Sequence, residues 1–189
     1  MKIYFIRHGK TASNLLQVYN GRNDEPLSED GRNDLESKKG LYKDVKFDYV
    51  YASPMTRVRQ SIDILFGDIN VNELREDLME MDFGSWVGVK YTDKMKELEA
   101  LGYTMNDIVD PKGGETFDNL FNRTTEFLKE ILEKHNEDDT ILVGAHGMVI
   151  AAIMHKNYFP EEIFYYLTPD NGLGYIIDTK TKEIKKIKQ

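Results

Sequence analysis

Three apolar runs in this 189-residue chain stop abruptly at residues that could do chemistry. Lys2–Ile6 gives way to Arg7-His8-Gly9, Phe47–Ala52 to Ser53-Pro54 with Arg57 just beyond, and Thr140–Ala145 to His146-Gly147. A neutral imidazole can attack an electrophile and hold it covalently. Arginine presents a planar fork of donors that matches the oxygens of a phosphoryl group. Two histidines and two arginines gathered at one point would suit a dianionic group and in-line phosphoryl transfer. Such chemistry also needs an acid to protonate the leaving oxygen. Leu78-Met79-Glu80-Met81-Asp82-Phe83 supplies two carboxyls, and the apolar setting of Glu80 would raise its pKa. On composition alone Asp82 is its equal.

Positioning these groups falls to strand-turn-helix units. Lys2–Ile6 is expected to be a buried strand, with a short helix over Thr11–Val18 capped by Thr11 or Ser13. Ser28 reads as the N-cap of a polar helix reaching about Tyr42, with a thin apolar stripe. Phe47–Ala52 is a second strand, and Pro54 suits the first position of the helix after it. Val71–Val89 reads as an extended segment turning at Gly84, followed by a helix over Thr92–Leu101. Phe117, Leu120, Phe121, Phe127, Leu128, Ile131 and Leu132 make Glu115–His135 a long amphipathic helix. Thr140–Ala145 is a third strand with a buried helix after it, and Gly174–Asp178 and Glu183–Ile187 form a hairpin. The alternation predicts an α/β fold, a three-layer α/β/α sandwich on a mainly parallel sheet. Right-handed crossovers then bring Arg7, His8, Arg57 and His146 to one crevice. Arg59 reads as solvated, His135 as a surface residue at a helix C-terminus, and His155 as a helix-end residue without a role.

Composition narrows the setting. Residues 1–189 are expected to form one domain. A net charge of −8 argues against nucleic acid as a partner. The absence of cysteine removes disulfides and thiolate chemistry, and the four histidines show no metal-binding spacing. The opening residues are too quickly charged for a signal peptide, and no run is long enough to span a membrane. A cytoplasmic protein, monomer or homodimer, without metal or cofactor, is the expectation.

Several separated motifs together resemble the histidine phosphatase superfamily, also called phosphoglycerate-mutase-like. They are Arg7-His8-Gly9-Lys10-Thr11 with Asn14, Gly21-Arg22-Asn23-Asp24-Glu25-Pro26-Leu27-Ser28, and Ser53-Pro54-Met55 with Arg57. Glu80 with Phe83-Gly84 and Trp86, Gly113-Gly114-Glu115-Thr116, and Gly144 with His146-Gly147 complete the set. The resemblance implies that His8 becomes phosphohistidine, that Arg7, Arg57 and His146 bind the phosphoryl group, and that Glu80 rather than Asp82 is the acid. It implies that Asn14 and Arg22 line the pocket entrance or touch the phosphate, and that no metal is needed. Lys10 departs from the usual pattern and adds a positive charge near the phosphate, and Val87 stands where many members carry Glu.

The resemblance makes a phosphatase acting on small phosphorylated metabolites the leading expectation, with about 86–112 as a substrate-capping insertion. A 2,3-bisphosphoglycerate-dependent mutase is the alternative. Similar mutases carry paired arginines after the Phe-Gly block, and Lys90–Lys112 has none. A non-catalytic phosphate-binding module is a further alternative, disfavoured by the full set of chemical residues.

Overall fold

The computed structural model describes residues 1–189. Six strands form one sheet in the order β3-β2-β4-β1-β5-β6, with β1 at Lys2–Arg7, β2 at Tyr49–Ala52, β3 at Glu73–Leu74, β4 at Thr140–Ala145, β5 at Gly174–Asp178 and β6 at Glu183–Lys186. The first four are mutually parallel, while β5 runs antiparallel along β1 and pairs with the edge strand β6 in a hairpin. The fold is thus the mainly parallel α/β sandwich that the alternation of elements implies.

Strand residues alternate between the two faces with a period of two. Ile3, Phe5, Tyr51, Ile141, Val143 and Ala145 pack into the larger core, with α5 (Phe117–Lys134) and α6 (Gly147–Asn157). Ile6, Val50, Ala52 and Leu142 point the other way, to α2 (Glu29–Lys38) and α3 (Thr56–Phe66). Two further helices complete the set, the short α1 (Ala12–Leu16) and α4 (Tyr91–Ala100).

The helix boundaries follow from local chemistry. Thr116 accepts a hydrogen bond from the Asn119 amide, Asp118 lies in the first turn of α5 and Lys134 in the last, all favourable to the helix dipole. Seven residues of α5 are buried, including Leu120 and Ile131, and each large apolar side chain contributes roughly 1.5–3 kcal/mol. Ser28 caps α2 by accepting from the Gly31 amide at 3.0 Å. Its stripe is as thin as expected, with Leu35 the one large apolar residue fully buried.

Three boundaries differ from expectation. Pro54 precedes α3, whose first residue is Thr56; Asp24 binds the Thr56 amide and hydroxyl and fixes the helix start there. β2 begins at Tyr49 because Phe47 instead packs edge-on against Tyr4 and Phe66. Residues 71–89 are not one extended segment. After the two-residue β3, short 3-10 turns occupy Glu76–Leu78 and Gly84–Trp86, and Asp82 turns the chain by accepting from the Gly84 amide.

Register brings the strand ends level. Arg7 pairs with Ala145, and Ala52 with Gly144, so His8, Ser53 and His146 leave the sheet side by side. No helix is long and apolar enough to cross a membrane.

Candidate active site

His8 is 4% exposed and its Nδ1 lies 2.6 Å from the Gly9 carbonyl oxygen. A carbonyl only accepts, so Nδ1 carries the proton and Nε2 keeps its lone pair. Burial, and then the charges of Arg57 and Arg7, hold the imidazole well below its usual pKa. The ring is therefore neutral across physiological pH. Around it the backbone is clamped: Ser61 Oγ accepts from the Gly9 amide at 2.9 Å, and Asn171 donates to the His8 carbonyl at 2.9 Å.

His146 packs edge-on against His8, with ring centroids 5.1 Å apart. Its Nε2 meets Ser53 Oγ at 2.8 Å, whereas its buried Nδ1 has no partner. A polar atom so placed marks a waiting ligand contact. Burial, and then His8 and the arginines, also hold this imidazole well below its usual pKa.

Both arginines are held by backbone carbonyls rather than carboxylates. Arg57, 2% exposed, donates Nη1 to Asn23 O and Nη2 to Gly21 O, each at 2.8 Å. Gly21 lies at φ +60°, a conformation that glycine adopts without strain. Arg7 donates Nη1 to Pro169 O at 2.7 Å, and its buried Nε is unpartnered. Such anchoring fixes each guanidinium while leaving its charge free for an anion. Gly147, opening α6, permits this arrangement: a Cβ there would stand 3.2 Å from Arg7 Cζ and 3.0 Å from Thr168 Cγ2.

Glu80 is 8% exposed, and its Oε1 accepts from the Met81 amide at 2.9 Å. Burial raises its pKa, outweighing the Met81 and Met148 amides and the two arginines, which pull it down. Asp82 is occupied in the turn at Gly84. A cavity of about 310 Å³ opens onto Arg7, His8, Asn14, Arg57 and Glu80. Five candidates from three separate stretches of sequence thus share one cavity, with His146 buried beside them.

Other expectations are corrected. Arg22 is not among the residues lining the cavity: it donates to the Glu80 carbonyl at 3.1 Å and pairs with Glu115 at 3.4 Å. Lys10 turns away to Asp34, 3.6 Å distant. His135 is not a surface residue: it meets the Tyr51 hydroxyl at 2.9 Å and packs on Tyr49. His155 lies in the last turn of α6, as expected, and packs between Phe121 and Phe164. Arg59 is exposed, as expected. Ser61 and the ring cluster of Tyr19 and Tyr91 carried no sequence signal beyond residue type.

Three comparisons place this geometry among known proteins. The family model for the histidine phosphatase superfamily (branch 1) matches residues 3–186. The chain is 27% identical over 187 residues to the adenosylcobalamin/alpha-ribazole phosphatase of Escherichia coli (strain K12), covering 96% of this chain and 92% of that one. It is 28% identical over 162 residues to the 2,3-bisphosphoglycerate-dependent phosphoglycerate mutase of Bradyrhizobium diazoefficiens, covering 80% and 78%. The crystal structure of the alpha-ribazole phosphatase from Shigella flexneri superposes with a TM-score of 0.80 at 26% identity, covering 99% of this chain and 95% of that one.

Proposed function

The chain belongs to the histidine phosphatase superfamily, and from that premise we propose that it hydrolyses small phosphomonoesters through a phosphohistidine on His8. The observation that carries this reading is the Nδ1–Gly9 hydrogen bond, which leaves the His8 Nε2 lone pair available beside two uncompensated guanidiniums. Nε2 attacks phosphorus as the ester P–O bond breaks. Arg7, Arg57 and His146 Nδ1 take the phosphoryl oxygens, and Glu80 in its acid form gives its proton to the leaving oxygen. Glu80, now a carboxylate, takes a proton from the water that attacks phosphorus. The P–N bond breaks and inorganic phosphate departs.

The proposal includes residues 1–189 as one domain, with residues 86–112 capping the pocket. Tyr91, Met95 and Met105 of that segment line the cavity. It also includes a cytoplasmic setting and a monomeric or homodimeric form. Hydrolysis is preferred to mutase action because Lys90–Lys112 contains no arginine to retain an acidic product for a second transfer.

Brief mixing with an aryl phosphate and quenching in base should yield a phosphoryl adduct on His8 by mass spectrometry. His8→Ala should release phosphate at least about 10³-fold more slowly. Full activity in that variant would overturn the mechanism. Incubation with phosphoglycerate and 2,3-bisphosphoglycerate separates the two outcomes: free phosphate supports hydrolysis, and isomerised phosphoglycerate without it supports the mutase.

A further inference from the structure

Building on the hydrolase reading, we propose that the group released with phosphate is an uncharged aromatic one. Beyond the phosphoryl cradle the cavity wall is a box of rings and thioethers. Tyr19 is its centre, with ring centroids 4.8 Å from Phe83, 5.4 Å from Trp86 and 4.7 Å from Tyr91. Met95 and Met105 extend the same wall. Aromatic faces and polarizable sulfur favour a flat ring over a hydrated chain. At about 310 Å³ the space is near the lower end for small-molecule sites, enough for a phosphoryl group and a compact ring system.

Charge points the same way. The lining cations are Arg7 and Arg57, both committed to the phosphoryl position beside His8. Four other cations, Lys94, Arg22, Arg123 and Lys10, are engaged and lie outside the lining. Lys94 stands 5.5 Å over the Trp86 ring, but its Nζ is bound to Glu97 at 2.6 Å. Arg22 and Arg123 share Glu115, at 3.4 Å and 2.7 Å, and Lys10 pairs with Asp34. A carboxylate on the leaving group would be buried against apolar walls without a counter-ion. Neutral hydroxyls or amides find partners instead in Thr11, Asn14, Asn20 and Thr168, which also line the space.

The test uses four phosphates of primary alcohols: benzyl, 4-carbamoylbenzyl, 4-carboxybenzyl and cyclohexylmethyl. The charge in the third lies across the ring from the reacting oxygen, so leaving-group chemistry is matched. The carbamoyl ester should exceed its carboxylate counterpart by about fiftyfold in kcat/KM, and benzyl should exceed cyclohexylmethyl by about fivefold. Met95→Arg should narrow the first gap. Equal rates for the carbamoyl and carboxy esters, or for the aromatic and saturated rings, would overturn the inference while leaving hydrolysis intact. The corresponding phosphonates can be ranked by fluorescence titration of Trp86, the one tryptophan in the chain. The same ranking by binding, with no ester hydrolysed, would support the inference and sink the hydrolase reading instead. Binding without discrimination would sink the inference.

Discussion

Two carboxyls two residues apart meet opposite fates: Glu80 enters the cavity, where burial raises its pKa, while Asp82 is spent on a turn. The acid role assigned to Glu80 makes a leaving-group prediction. Glu80→Gln should slow alkyl phosphate hydrolysis by about 10²–10⁴ and aryl phosphate hydrolysis far less, since phenolates leave with little help. Equal losses on both substrates would remove the role. Arg7, His8 and His146 were legible because each follows an apolar run at a turn, and Arg57 because it lies just beyond such a turn at Ser53-Pro54. Arg22 and Lys10 were not, because a cation's direction depends on which carboxylate comes nearest, and Glu115 and Asp34 are set by folding. His135 was misjudged for the same reason: Tyr51, its partner, comes from a strand far away in sequence.

Strands carry the site through their register, and helix starts refine it. Gly147 is one such start, where the missing side chain leaves room for the Arg7 guanidinium. Gly147→Ala should improve or barely alter stability, by less than about 1 kcal/mol, because alanine favours a helix. Its kcat/KM should nevertheless fall about tenfold through displacement of Arg7. Thermal melts beside steady-state kinetics would show the split, and a parallel loss of both would refute it. Periodicity made α5 legible almost to its ends, and alternation made the sheet so. Pro54 was misplaced because Asp24, from a remote loop, chooses the first residue of α3. Residues 71–89 offered no period to read, being a chain of turns.

At the scale of the whole molecule, an acidic protein of net charge −8 encloses a pocket whose burial, and then its arginines, hold two histidines well below their usual pKa. Unfolding exposes both imidazoles to protons below about pH 6.5, while the native state takes up none until well below that. The unfolded state then binds more protons, so stability must fall as the medium is acidified. The slope from this pair approaches about 2.7 kcal/mol per pH unit, at about 1.4 per proton. Glu80 acts in the opposite sense, since its raised pKa favours the native state toward acid. Urea unfolding at about pH 7 and about pH 5.5 should show the loss, with both histidines still neutral by NMR in the native protein; an unchanged midpoint would contradict it. The sheet order has one more consequence, for a chain made from its amino end. β1 emerges from the ribosome before the other five strands, yet its neighbours β4 and β5 begin only at Thr140 and Gly174. Through most of synthesis that apolar segment, which ends in the proposed nucleophile, has no partner strand. It is where chaperones would be expected to bind and where premature pairing between nascent chains would start.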